Sequence, residues 1–74
     1  MQADSLLRMA NQIGAFFAAM PERDEALQDI ATHLKKFWEP RMRRALLAHV
    51  DAHAGQGLSA IVAEAIGRHR AMLE

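Results

Sequence analysis

Residues 33–43 read His-Leu-Lys-Lys-Phe-Trp-Glu-Pro-Arg-Met-Arg and contain the only tryptophan of the chain. Pro40 restricts the residue before it to extended backbone and is itself suited to the first position of a helix. The run therefore predicts one helix that ends near Trp38 and a second that begins at Pro40. It also gathers aromatic and basic side chains at one corner, so we expect a partner to meet the chain here.

Further breaks divide the rest of the chain at Pro21 and at residues 55–57, Gly-Gln-Gly. Between the breaks, apolar residues recur with helical spacing, and the alternation typical of strands is missing. We therefore expect an all-α fold, a small bundle of about four short helices that forms a single helical domain over residues 1–74. The expected starts of the first, second and fourth helices are Asp4 or Ser5, Pro21 and Ser59.

The apolar faces of these helices differ in regularity. The second has the cleanest stripe, which consists of Leu27, Ile30, Ala31, Leu34, Phe37 and Trp38. In the third, about Pro40 to Ala54, apolar residues spread over nearly half the circumference and Arg43 falls inside that arc, so we expect one intramolecular side and one side for a partner. In the first, Phe16 and Phe17 point about 100° apart, which predicts that one of them lies at the rim of the core.

The composition favours a protein that needs a partner. The chain has 74 residues, of which 51% are hydrophobic. A domain of this size buries only about 60% of the surface that its unfolded chain exposes, so we expect apolar surface to remain for another protein. Nine basic and nine acidic side chains give a formal net charge of zero. That balance argues against a whole-domain field for nucleic acid or an anionic membrane.

The absence of cysteine excludes disulfide scaffolds and iron–sulfur or zinc sites with thiolate ligands. The amino-terminal residues include an early acid and no basic lead into an apolar run, unlike a secretory signal. No uninterrupted apolar stretch approaches the roughly 20 residues that would span a bilayer. We therefore expect a cytoplasmic protein with no membrane contact.

The histidines offer little chemistry. His49 and His53 are four residues apart, a spacing that lets two imidazoles of a helix share a metal ion, but no Cys or intervening Glu completes such a site. His69 lies on the apolar face of the fourth helix with no Ser or Asp nearby in sequence to form a nucleophile system. Solvated or structural roles are favoured, and no catalytic, cofactor-binding or metal-binding residue is predicted.

A basic cluster surrounds Trp38 and leaves an alternative open. The cluster consists of Lys35, Lys36, Arg41, Arg43 and Arg44. These side chains could contact a phosphate backbone, as in a helix-turn-helix protein. The two lysines already have a local explanation, because cations suit the carboxyl end of a helix. A protein interface fits the combination of Trp, Met and Arg better, since these residues are enriched in interface cores.

Two blocks of the sequence resemble a known family. They are Met9–Ile13, which reads MANQI, and Lys36–Arg43, which reads KFWEPRMR. In this order and spacing the chain resembles the small delta subunit of soluble NAD-dependent formate dehydrogenases that contain molybdenum or tungsten. The resemblance covers about the first two thirds of the chain, and the fourth helix carries no motif of the family.

The resemblance implies a non-catalytic accessory subunit of a cytoplasmic complex that interconverts formate and carbon dioxide. In such complexes the alpha subunit carries a molybdenum or tungsten bis-pyranopterin guanine dinucleotide and iron–sulfur clusters. Beta and gamma subunits pass electrons to FMN and NAD. This chain would hold none of these cofactors, and it would dock on the alpha subunit to stabilise it or help to assemble it.

The residues expected to contact the partner lie mainly at the corner between the second and third helices. They are Phe37, Trp38, Pro40, Arg41, Met42 and Arg43, with Asn11 and Gln12 of the first helix as outward polar contacts. The alternative function is a small helical nucleic-acid-binding or regulatory module that uses the basic cluster.

Overall fold

Four main helices and one short helix at the carboxyl end make up the computed structural model, which describes residues 2–74. In chain order they are α1 Ala3–Phe17, α2 Arg23–Phe37, α3 Pro40–His53, α4 Ala60–Arg68 and α5 Arg70–Leu73. No strand occurs within this range, which confirms the prediction of a small all-α bundle. Over the same residues, no helix combines the length and the apolarity needed to cross a bilayer.

The core is organised around α2, which packs against α1, α4 and α5. The largest fully buried side chains of the core are Leu27, Ile30, Leu34, Leu46, Val62, Ile66 and Leu73. Helix α1 adds the buried Leu6 and Ala10. Because α2 packs against three other helices, the position of its carboxyl end, and of the corner that leads from Trp38 to Pro40, is fixed relative to the core.

Two helix starts agree with the prediction. Pro40 is the first residue of α3, and Ser59 is the cap residue of α4. Both cap positions, Glu39 and Ser59, have extended backbone and lack a side-chain cap bond. The extended backbone of Glu39 is the conformation that the following Pro40 predicts.

The predicted starts of the first two helices are wrong. Helix α1 begins before Asp4 and Ser5, with Gln2 as its cap residue, and α2 begins after Pro21, with Glu22 as its cap residue. Neither cap residue makes a side-chain cap bond. These helix ends are exposed, so water can satisfy their first amides, and acids in the first turn favour the helix dipole.

The predicted fourth helix is two helices. His69, at φ −115° and ψ 29°, ends α4 and precedes α5. It is half-buried at this break and does not lie in the middle of a continuous helix. Leu73 of α5 is nevertheless only 2% exposed, so the short helix returns its apolar side chain to the core.

Left-handed backbone turns the chain between α3 and α4. Ala54, Gly55 and Gly57 have φ values of 53°, 74° and 93°, which explains the two glycines of the predicted break. The carbonyl oxygen of Gln56 lies 2.8 Å from Nε2 of His49, so the loop is held against the preceding helix.

Helices α1 and α4 approach closely at Gly14. A Cβ atom at this buried position would overlap Cγ2 of Val62 and would lie 3.3 Å from Cγ2 of Ile61. A side chain there therefore has no space. The interior of α1 tolerates a glycine, despite its cost to helix stability, because only glycine permits this contact.

Ion pairs join α2 to α4 across the surface. Arg23 binds Glu64 at 2.6 Å, and Arg68 binds Asp24 at 2.6 Å. The pair between Glu64 and Arg68 that the one-turn spacing favours is present at 3.4 Å. These exposed pairs each contribute little to stability, but they neutralise the charges of both arginines.

A similar arrangement joins α3 to α5. Arg70 donates to Asp51 at 2.8 Å and to Glu74 at 2.9 Å. Hydrogen bonds to Asp51 first, and then to Glu74, raise the pKa of the Arg70 guanidinium above its ordinary value. The charge of Arg70 is thus permanent and locally compensated.

Candidate protein-docking site

Arg43 lies inside the bundle and is only 8% exposed. Its Nη1 donates to the carbonyl oxygens of Lys35 at 3.1 Å and Trp38 at 2.8 Å, and its Nε donates to the carbonyl oxygen of Leu73 at 3.3 Å. Since the last carbonyl groups of a helix lack partners within the helix, one guanidinium completes the ends of α2 and α5. Arg43 is therefore engaged within the fold and does not present its charge to a partner or to phosphate.

Trp38 and Phe37 have opposite environments. Helix α2 ends at Phe37, and Trp38 adopts extended backbone at φ −92° and ψ 136°. The indole is 6% exposed and belongs to the core cluster, whereas Phe37 is 71% exposed. The predicted stripe contained both residues, and the structure buries only Trp38. The change of backbone after Phe37 redirects the indole into the core.

An open apolar cleft of about 440 Å³, which we call the aromatic cleft, lies between α1 and α2. It is lined by Met9, Gln12, Ile13, Phe16, Phe17, His33 and Trp38. Gln12 and His33 are the polar members of this lining, and none of its residues is an acid, a lysine or an arginine. The cleft therefore suits an apolar occupant that could also accept one or two hydrogen bonds.

A row of rings follows the aromatic cleft. The ring centroids of Phe16 and Phe17 are 5.1 Å apart, those of Phe17 and His33 are 6.1 Å apart, and those of His33 and Phe37 are 4.7 Å apart. The two end members, Phe16 at 74% and Phe37 at 71%, are the most exposed large apolar side chains. The first pair meets edge to face, an arrangement that is favourable for aromatic rings.

Exposure of Phe16 confirms the prediction that one of the two neighbouring phenylalanines lies at the rim of the core. On the sequence alone, the face of α1 with Met9, Phe16 and Phe17 could be a groove for a ligand or peptide, but a core role is favoured. Ile13 and His33 were not predicted as site residues. The available signal was the breadth of the apolar face of α1, on which Phe16 remains exposed although α1 packs against α2, α3 and α4.

Four cations around the corner between α2 and α3 have no ion-pair partner within residues 2–74. These exposed residues are Lys35, Lys36, Arg41 and Arg44. Glu39 is the single acid of residues 35–44, and Arg44 shares a surface groove with Asp51 and Glu74 of the Arg70 ion pairs. The predicted basic cluster is therefore present without Arg43, and we call these four residues the basic corner.

The remaining predicted contact residues divide by exposure. Pro40 and Arg41 are exposed at the start of α3, and Met42 is half-buried against the core. Gln12 is exposed and lines the aromatic cleft. These side chains, with Phe37, are accessible to a partner.

Asn11 is half-buried, and its side chain binds the loop between α3 and α4. Its Nδ2 donates to the carbonyl oxygen of Gly57 at 2.9 Å, and its Oδ1 accepts from the amide of Ser59 at 2.9 Å. The outward orientation predicted for Asn11 is therefore wrong. Its amide matches a loop that is 46 to 48 residues away in sequence, which helical spacing alone does not show.

We expect Asn11→Ala to lower the free energy of unfolding by about 1–2 kcal/mol, because it leaves the carbonyl of Gly57 and the amide of Ser59 without their partner. Gln12→Ala is the matched control on the neighbouring exposed residue, and it is expected to change stability by less than about 0.5 kcal/mol. Urea unfolding followed by circular dichroism measures both. Equal losses of stability in the two variants would show that the hydrogen bonds of Asn11 to the loop do not stabilise the fold.

Within residues 2–74, the donor groups do not form a set that fits a metal ion or an iron–sulfur cluster. His49 and His53 have ring centroids 4.8 Å apart, but no third donor joins them. In the part of the chain that the structure describes, no group of three or more His, Cys, Asp or Glu side chains is placed to hold a metal ion. Iron–sulfur clusters additionally need thiolates, and the sequence has none.

These features define a small all-α protein with an open aromatic cleft between α1 and α2 and a basic corner between α2 and α3. A protein-family model described as "NADH-dependant formate dehydrogenase delta subunit FdsD" matches residues 5–66. The chain belongs to this family of formate dehydrogenase delta subunits. The match confirms the resemblance seen in the sequence. It also covers part of α4, in which no motif of the family was recognised. Searches of curated proteins and of solved structures gave no match.

Proposed function

We propose that this chain, as one helical domain, is a non-catalytic accessory subunit of a cytoplasmic NAD-dependent formate dehydrogenase complex. It docks on the cofactor-bearing alpha subunit and stabilises it or helps to assemble it. Membership of the delta-subunit family supports a place in such a complex. The exposed Phe37 beside the cations of the basic corner is the observation that carries a docking role.

In this proposal the formate chemistry belongs to the other subunits. The alpha subunit carries the molybdenum or tungsten bis-pyranopterin guanine dinucleotide and iron–sulfur clusters, and the beta and gamma subunits pass electrons to FMN and NAD. The lack of cysteine and of a metal-ligand cluster within residues 2–74 supports this division. The role of this chain is then to bind protein.

Differences in exposure among the predicted contact residues support two roles in this proposal. Phe37, Pro40, Arg41 and Gln12 are exposed and Met42 is half-buried. In this proposal these side chains contact the alpha subunit. The buried Trp38, the buried Arg43 and the bonded Asn11 hold these contacts in place, as described above. Substitution of the second group would change the fold, so a test of docking uses the first group.

Co-purification of the alpha subunit with the tagged chain tests the proposal. We expect the wild-type chain to retain the alpha subunit, and we expect Phe37→Ala combined with Arg41→Ala to reduce the retained amount by about tenfold or more. Gln28→Ala, an exposed position on α2, is the control and should retain wild-type amounts. If the wild-type chain retains no formate dehydrogenase subunit, the proposed function is wrong.

The basic corner also supports the alternative function of a nucleic-acid-binding or regulatory module. Its four unpaired cations could contact phosphates, and such binding would weaken steeply with added salt. Titration of a DNA or RNA duplex at low and moderate salt distinguishes the two functions. Absence of binding at low salt would remove the alternative.

A further inference from the structure

We propose that the aromatic cleft receives the apolar face of an amphipathic helix from the partner subunit, with acidic side chains of that helix opposite the basic corner. This inference rests on the proposed function, because it names the chemistry of the partner surface. It also adds residues of α1 that the predicted corner did not include, chiefly Phe16.

The lining of the cleft determines the apolar part of the occupant. Because no acid, lysine or arginine lines the cleft, a charged side chain that entered it would lose water without gaining a counter-charge. Gln12 and His33 offer hydrogen bonds at two points. An occupant that buries apolar side chains and leaves its polar groups at the opening therefore fits best.

The shape of the cleft favours a helix. It runs between two helices, and an apolar groove of this kind accepts the i, i+3, i+4 and i+7 side chains of a third helix. A volume of about 440 Å³ suits a few large side chains and not a whole domain. Phe16 and Phe37 stand at the edges, where their exposed rings can cover the flanks of the bound helix.

The charges at one end of the cleft determine the polar part of the occupant. Lys36 lies three residues after His33 on α2, so the two side chains share one face of that helix, and His33 lines the cleft. Arg41 lies in the first turn of α3, which follows the cleft residue Trp38. The arginines that lie elsewhere on α2, α4 and α5 are paired with acids, whereas the basic corner retains its positive potential. Complementary charge across an interface therefore requires carboxylates at this end of the partner helix.

Site-specific crosslinking in the assembled complex is the direct test. A photo-reactive amino acid is placed at position 16 in the cleft, and the same residue at the exposed position 28 serves as the control. We expect position 16 to crosslink to one helical segment of a partner subunit whose apolar face is flanked by Asp or Glu. A crosslink from position 16 only to a basic segment, only to a second copy of this chain, or only to nucleic acid would overturn the proposal.

Substitution of the exposed ring measures the apolar contribution. We expect Phe16→Ser to weaken binding to the complex that lacks this chain by about tenfold or more, and Gln28→Ser to leave the affinity within about twofold. Circular dichroism verifies that both variants keep the helix content of the wild type. A folded Phe16→Ser variant with wild-type affinity would show that the cleft is not the docking surface.

Charge reversal measures the polar contribution. We expect Lys36→Glu combined with Arg41→Glu to weaken binding by at least about tenfold at low salt and to reduce its dependence on ionic strength. Arg8→Glu is the control, because Arg8 is an exposed cation of α1 that makes no ion pair within residues 2–74. Equal losses in both variants would indicate a general charge effect and would overturn the placement of the carboxylates.

The failures of the two proposals are distinguishable. If the wild-type chain does not associate with formate dehydrogenase subunits, the proposed function fails. If it associates but neither position 16 nor the basic corner affects binding, only the inference about the cleft fails.

Discussion

Replacement of Arg43 with methionine is expected to lower the free energy of unfolding by about 3–5 kcal/mol. Methionine fills part of the space but donates no hydrogen bond, so the carbonyl groups of Lys35, Trp38 and Leu73 lose their donor. A domain of 74 residues has a total stability of about 4–11 kcal/mol. The substitution therefore removes a large part of it and leaves a chain with a substantial unfolded population.

Two variants isolate the cause of this loss. Arg44→Met removes the same charge from the exposed neighbouring residue, and we expect a change of less than about 0.5 kcal/mol. Arg43→Lys keeps the charge but not the planar fork that reaches three carbonyl groups, so we expect most of the loss to remain. Urea unfolding followed by circular dichroism measures all three. A stable Arg43→Met variant would contradict the structural role of the guanidinium.

Replacement of Gly14 with leucine is expected to destabilise the chain by about 3 kcal/mol. The first added carbon already overlaps Val62, which is 0% exposed and cannot move without disturbing the core. Helices α1 and α4 would have to separate. Gly67→Leu is the matched control, because no atom lies within 4 Å of a Cβ at this helical position. There the higher helix propensity is expected to stabilise the chain by roughly 0.5–1 kcal/mol.

A second substitution tests the contact itself. In a double-mutant cycle, Val62→Ala costs stability alone but provides space next to residue 14. We expect the two substitutions to be coupled by about 1 kcal/mol or more, so that the double variant is more stable than the sum of the single effects predicts. Additive effects would show that the overlap at Val62 is not the cause of the destabilisation.

The helix pattern was largely predictable because it depends on local residues. Pro40 determines where α3 begins through its own ring and the residue before it, and the glycines near position 55 provide the left-handed backbone that ends α3. The starts of α1 and α2 were not predictable from cap preferences, since their cap residues, Gln2 and Glu22, are not among the residue types that favour this position. The break at His69 likewise has no proline, and Gly67, two residues earlier, lies inside the last turn of α4.

The site was less predictable because burial depends on residues far apart in sequence. Arg43 donates a hydrogen bond to the carbonyl of Leu73, 30 residues away, and Asn11 accepts one from the amide of Ser59, 48 residues away. A helical pattern shows which face a residue occupies but not which distant carbonyl or amide meets it. The blocks that identify the family therefore contain both accessible residues, such as Phe37, and residues that maintain the fold, such as Arg43.

Helix α2 carries acids near its first residue and lysines near its last, which gives a molecule of formal charge zero two electrical poles. Fifteen residues of helix separate the poles by about 20 Å. A partner with an acidic surface would be oriented by this dipole before contact, so that more encounters present the basic corner first. Added salt should then slow association more than it shortens the lifetime of the bound state.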